Sequence, residues 1–175
     1  MSLQRLKAIA GKNNSRFPCC TTLLVDCGDL LAVVDPGAGS EALQAALVGK
    51  RVDLVINTHY HFDHINGNYL FPGARFLINP LEASCFPDLS RVGELLGIQE
   101  YYGESGLGAW IEGVKSPHSK QTPFSPSRRH EWWLSTRVNA GEYVYDREWF
   151  IGKVKVIMVH APGHTKGICC PYFRL

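Results

Sequence analysis

No stretch of this chain approaches the roughly 18 consecutive apolar residues that a membrane-spanning helix needs, and residues 1–7 (MSLQRLK) lack the long apolar centre of a secretion signal. A soluble, cytoplasmic protein with no membrane partner is expected. Charge of one sign is also scarce. Lys and Arg total 18 against 16 Asp and Glu, and a formal net charge of +2 gives no broad electropositive field. Nucleic acid is therefore not expected as a partner. No C-x-x-C occurs: Cys19, Cys20, Cys27, Cys85, Cys169 and Cys170 fall as two adjacent pairs and two singles, neither a disulfide framework nor a zinc knuckle. They are expected to be reduced, small buried residues. Internal repeats and low-complexity tracts are missing too. What the 175 residues do have is 45% hydrophobic content, enough for one core and one domain spanning 1–175.

The remaining organisation centres on Thr58-His59-Tyr60-His61-Phe62-Asp63-His64, which follows the apolar run at residues 52–57 (VDLVIN). That run is short, β-branched and followed by polar residues, so it reads as a buried strand ending in a ligand cluster at the rim of a sheet. In extended backbone His59 and His61 share a face, and a tighter turn through Asp63 and His64 aims two further ligands at an adjacent point. One run can feed two neighbouring metals. Imidazole and carboxylate donors without thiolates suit zinc, iron or manganese, with zinc the default.

Around this cluster, residues 17–26 and 30–35 read as an antiparallel hairpin turning at Cys27-Gly28-Asp29. Asp35-Pro36-Gly37 stops its second strand, and Ser40 reads as the N-cap of a short helix over 41–47. Residues 65–71 read as a helical turn closed by Pro72-Gly73, and residues 74–78 as another strand. The stretch 79–147 carries helix-like pieces at 88–97, 108–112 and 128–134, with a proline-broken loop at 116–127. It is expected to be a helical insertion or lid that shapes a pocket. Tyr101, Tyr102, Trp110, Trp132 and Trp133 either line that pocket or pack a core. Arg128 and Arg129 either bind an anionic group or lie on a solvated surface, and His118 and His130 have no ligand partner nearby in sequence. Residues 154–159 (VKVIMV) read as a strand that delivers His160-Ala161-Pro162-Gly163-His164-Thr165-Lys166-Gly167.

The H-x-H-x-D-H cluster and the Pro-Gly-His-Thr-x-Gly run, each after an apolar strand, resemble the metallo-β-lactamase superfamily. The resemblance covers the chain from about residue 17 to its end. It implies an α/β (α+β) fold class, a metallo-β-lactamase αββα sandwich of which this chain carries the first half plus the helical insertion, the C-terminal half being missing. It implies that His59, His61 and His164 bind a first metal and leave a fourth position open for water. Asp63 and His64 belong to a second metal, whose bridging aspartate and last histidine have no counterpart here. Asp63 then either holds that metal or orients the nucleophile. Asp35 either orients the metal loop through a hydrogen bond or only caps a turn. His160 is expected to support the loop rather than bind metal.

The activity so implied is metal-dependent hydrolysis, with a metal-bound hydroxide attacking a small-molecule substrate. One or two zinc ions are expected, or iron or manganese in their place. The run Gly163-His164-Thr165-Lys166-Gly167-Ile168-Cys169 is similar to the thioester hydrolases of the glyoxalase II group, which puts acyl thioesters, lactones and related esters ahead of phosphodiesters. Flavodiiron oxygen reductases resemble the chain less, since a glutamate usually stands where His61 is. The alternative is a non-catalytic or partly metallated scaffold that needs a partner chain. A homodimer or a complementing chain would then cover the apolar face left by the missing half.

Overall fold

The computed structural model describes residues 5–86, 88–116 and 129–175, the side chains of Asn13, Arg129 and His130 excepted. Six strands form one sheet in the spatial order of the chain: β1 (Leu6–Ile9), β2 (Thr22–Asp26), β3 (Leu31–Val34), β4 (Leu54–Ile56), β5 (Arg75–Ile78) and β6 (Ala140–Glu142). The first three pair antiparallel, with Val25 opposite Ala32 across the expected hairpin. From β3 to β6 the pairing is parallel. A second, antiparallel sheet holds β7 (Glu148–Ile151), β8 (Val154–His160) and β9 (Cys169–Arg174).

Side-chain alternation builds the layers. Ala32 and Val34 of β3, Leu54 and Ile56 of β4 and Leu77 of β5 face the second sheet, where they pack with Val154, Val156 and Met158. Their neighbours Val33, Val55 and Phe76 point the opposite way, onto Leu43 and Leu47. This is the period-2 geometry of a strand buried on both faces, which is why these strands read as unbroken apolar runs. Leu43 lies in α2 (Ser40–Ala46), which follows the four-residue α1 (Lys12–Ser15). Among the described residues nothing covers the outer face of the second sheet, where Phe150, Val159 and Tyr172 are exposed.

A third apolar cluster lies beyond the sheet rim. Phe62 and Ile65 of α3 (Phe62–Ile65) meet Leu89 and Val92 of α4 (Leu89–Leu95), Val114 of α5 (Ile98–Lys115) and Trp132 of α6 (Arg129–Thr136). Asp88 caps α4, accepting from the backbone N–H of Ser90 at 2.9 Å. Gly103, at φ 68°, interrupts α5. Among the described residues no helix is long and apolar enough to cross a membrane.

The structure adds β1, α1 and β9, where the sequence predicts no element, and departs from expectation in three further local places. Ser40 is the first residue of α2 rather than its cap. Gly39 stands at the cap position with φ 100°, a conformation glycine adopts without a Cβ penalty, and no side chain caps the helix. The turn after the histidine cluster begins three residues early, as α3, and continues as a 3-10 turn over Asn68–Leu70. The stretch 79–147 is not wholly helical, because Ala140–Glu142 adds β6 to the free parallel edge of β5. Main-chain pairing at that edge outweighs the poor strand propensity of Ala-Gly-Glu. His118, Arg128 and nearly all of the proline-broken loop fall outside the described residues, as do the side chains of Arg129 and His130.

Candidate metal centre

Parallel pairing puts the C-terminal ends of β3, β4 and β5 at one rim, and each end delivers a polar side chain. Asp35 follows β3, the loop from Asn57 to His64 follows β4, and Glu82 follows β5. Open parallel sheets place ligand sites outside these carboxyl ends. The second sheet reaches the same rim through a backbone bond from Cys169 N to Thr58 O at 3.1 Å, which brings in the loop between β8 and β9 with His164.

Asp35 is 5% exposed and accepts three hydrogen bonds: from Thr58 N at 2.7 Å, Thr58 Oγ1 at 2.6 Å and His64 Nδ1 at 2.8 Å. It does more than cap a turn; it holds the histidine loop. It occupies the left-handed region at φ 49°, a conformation rare for a residue other than glycine. These contacts also settle two imidazole tautomers. The one hydroxyl proton of Thr58 goes to Asp35, so the 3.0 Å contact between Thr58 Oγ1 and His59 Nδ1 must have the ring N–H donating. His59 Nε2 is then a bare lone pair, buried and, among the described residues, without a hydrogen-bond partner. In the same way a carboxylate can only accept, so His64 keeps its proton on Nδ1. Its Nε2 lies 3.7 Å from Asp63 Oδ2.

His59, His61 and His164 each turn a ring nitrogen to within 4.8 Å of the others. His61 Nδ1 and His164 Nε2 are 2.8 Å apart although 103 residues separate them in sequence. The ring centroid of His59 lies 4.8 Å from that of His61 and 5.1 Å from that of His164. Burial pushes His59 down to about 2, helped by the positive charge that His64, His61 and His164 would carry. Burial and His164 likewise push His61 down to about 4. Neutral imidazoles are the form that binds metal. An orphaned buried lone pair beside two further imidazoles fits an imidazole-binding cation such as zinc. Burial lowers His64 too, but the Asp35 hydrogen bond and the charges of Asp35 and Asp63 outweigh it and raise His64 overall.

These shifts predict an acid limb in the stability of the metal-free chain. Between about pH 6.5 and 4 the unfolded chain takes up protons at positions 59 and 61 that the native state refuses, so stability falls as pH falls. His64 works in the opposite sense: its raised value lets the native state hold a proton that the unfolded chain gives up near 6.5, so its contribution grows as pH falls through that region and is complete about one unit below it. The urea midpoint in EDTA is expected to be lower at about pH 4.5 than at about pH 5.5, where His64 is protonated in both states, and the difference to shrink in the His59→Asn, His61→Asn double variant. A midpoint indifferent to pH in the parent chain would contradict the assignment.

Asp63 lies beside the three-histidine set but outside it. It lines a cleft of about 490 Å³ together with His61, His164, Phe17, Tyr60, Phe62, Leu96, Ile98, Trp110 and Trp132. Of the five aromatic residues proposed for a pocket, Trp110 and Trp132 serve both as lining and as core, their rings 5.5 Å apart. Trp133 packs against the third cluster under Arg137, whereas Tyr101 and Tyr102 are exposed. His160 stays out of the cluster, its Nε2 2.8 Å from Lys166 O. One buried residue went unread in the sequence: Glu82 accepts from Tyr60 N at 2.8 Å, Gly167 N at 2.9 Å and the Thr165 hydroxyl.

The two packed sheets and the two rim loops define a layered α/β sandwich with a histidine cluster at one rim. Residues 16–79 match the family model of the metallo-beta-lactamase superfamily. Over 76 residues the chain is 41% identical to a hydroxyacylglutathione hydrolase of Stenotrophomonas maltophilia (strain R551-3), covering 41% of this chain and 30% of that protein. An uncharacterized protein of Aquifex aeolicus (strain VF5) is 26% identical over 144 residues, 80% of this chain and 52% of that one. The fold is also that of a metallo-beta-lactamase family protein from Thermus thermophilus, with a TM-score of 0.64 at 17% identity, covering 97% of this chain and 56% of the other. The chain is thus similar to the metallo-β-lactamase superfamily, by sequence within residues 16–79 and by fold over nearly its whole length. It spans about half or less of the length of the curated relatives it matches.

Proposed function

We propose that this chain is a metal-dependent hydrolase of acyl thioesters or related esters whose acyl group is apolar, with zinc held by His59, His61 and His164. The observation that carries the reading is the convergence of those three rings, one with an orphaned lone pair, at an aromatic cleft. A metal bound there supplies Lewis-acid polarisation of the substrate oxygen and lowers the pKa of water. The protein's own part is division of labour. Thr58 and Asp35 fix the ring orientations of His59 and His64. The Asp63 carboxylate, part-exposed on the cleft wall, accepts a proton from the attacking water. Phe17, Phe62, Leu96, Ile98, Trp110 and Trp132 exclude bulk water and receive the acyl group.

Thioesters lead because the matched relative from S. maltophilia is a hydroxyacylglutathione hydrolase. Phosphodiesters trail because, among the described residues, no Lys or Arg lines the cleft. The histidine set accounts for one metal per chain; Asp63 and His64 alone would give a second metal only two ligands, so with one metal bound Asp63 is free to act as base.

The test is elemental analysis of the purified chain followed by turnover of thioesters graded in acyl length, with a lactone and a phosphodiester alongside. About one zinc per chain and turnover that rises with acyl apolarity are expected. Trp110→Ala should raise KM for the apolar acyl substrates by roughly tenfold, the scale of losing part of one large apolar contact. Turnover of the phosphodiester alone would replace the substrate class, and a chain that takes up no metal would remove the hydrolase reading.

A further inference from the structure

Glu82 is 2% exposed, carries no ligand atom of the three-histidine set, and sits where two loops distant in sequence meet. It opens the 3-10 turn Ala83–Cys85 after β5. Its Oε2 accepts the N–H of Tyr60, the residue between His59 and His61. Its Oε1 accepts the N–H of Gly167 and the hydroxyl of Thr165, the residue next to His164. The seat is itself fixed. Glu82 N donates to Asn79 O at 2.9 Å, and buried Asn79 donates from Nδ2 to Cys169 Sγ at 3.1 Å. A Cβ at Gly167 would lie 2.6 Å from Glu82 Cγ, so the second loop closes against the side chain.

We propose that Glu82 is a positioning residue that sets the separation between the two halves of the metal centre, clamping the 59–61 loop to the 164–167 loop. The inference rests on the metal reading above. The chemistry of the clamp requires a carboxylate. Both backbone donors are fixed in direction, and an ionised carboxylate offers acceptors at both ends. A glutamine turns its NH2 toward one of the two N–H groups whichever way the amide is flipped, so one loop loses its anchor. An aspartate is a methylene too short to reach both. Removing the partner of a buried donor also leaves that donor unsatisfied. Because His61 and His164 come from opposite sides of the clamp, loosening it spreads the ligands without altering any of them.

The experiment compares the full chain with Glu82→Gln, Glu82→Asp and Thr165→Val. Zinc affinity is measured by competition with a chromophoric chelator, the visible spectrum of the cobalt-substituted centre reports ligand geometry, and the urea midpoint of the metal-free chain reports stability. Glu82→Gln is expected to weaken zinc by 10- to 100-fold, the usual effect of losing a group that orients ligands, and to change the cobalt spectrum. Thr165→Val removes only the hydroxyl donor and should weaken zinc by about three- to tenfold at nearly unchanged stability. It decides the matter if the Glu82 variants do not fold. A purely structural role would lower the urea midpoint with zinc affinity and spectrum unchanged, and that overturns the clamp. A parent chain that binds no zinc overturns the metal reading and the clamp with it, whereas tight parental binding matched by the variants overturns the clamp alone.

Discussion

Zinc affinity is expected to fall by more than about 100-fold in His59→Ala, His61→Ala and His164→Ala, and hydrolysis is expected to vanish with it. Groups that merely orient ligands are worth 10- to 100-fold, and loss of a ligand exceeds that scale. His59 should show the largest effect: it is the most buried of the three, and its Nε2 has no hydrogen-bond partner among the described residues. Asp63→Asn separates binding from chemistry. It keeps the size and polarity of the side chain and removes its capacity to take a proton, so turnover should drop by roughly 100-fold or more while zinc affinity stays within about tenfold. The measurements are chelator competition and kcat on an apolar acyl thioester. Equal loss of zinc in all four variants would sink the separate role of Asp63, and retained zinc in all three histidine variants would sink the centre itself.

The parts of this site that could be read from sequence are those whose signal is local. The H-x-H-x-D-H cluster lies within six residues after a strand whose two-faced burial makes it a continuous apolar run, and the paired strands around Gly28 carry the same signature. His164 could be found because a second strand-and-loop motif announces it. What could not be read depends on partners far along the chain. Glu82 is one acid among 16 acidic residues, in a segment without periodicity, and its role exists only because Tyr60 and Gly167, 22 and 85 residues away, aim their N–H groups at it. β6 has no strand propensity of its own and forms on an edge supplied by β5. Asp35 was ambiguous for the same reason: an aspartate before Pro-Gly looks like a turn residue until Thr58 and His64 are found on its carboxylate.

Gly37→Ala is expected to destabilise the chain by about 3 kcal/mol or more and to abolish high-affinity zinc binding, the second large effect the structure predicts. The glycine is needed for space, since a Cβ there would lie 1.6 Å from the carbonyl oxygen of Asp63 and 2.8 Å from Cys20 Sγ. Both neighbours are backbone or buried, so neither can swing aside. Gly67 repeats the arrangement from the other side, a Cβ at that position falling 2.0 Å from Pro36 O. The turn at Asp35-Pro36-Gly37 and the segment from Asp63 to Gly67 are thus in direct main-chain contact, and the contact holds Asp35 under Thr58 and His64. Forcing the two apart by even a methyl group moves Asp35 from the loop it orients, so loss of stability and loss of zinc affinity should appear together. Gly73, where an added Cβ meets nothing within 4 Å, is the matched control, and Gly73→Ala should leave both quantities nearly unchanged. Urea midpoints and chelator competition on the two variants decide it. A Gly37→Ala chain with parental stability and zinc affinity would mean that the turn does not seat the metal loop.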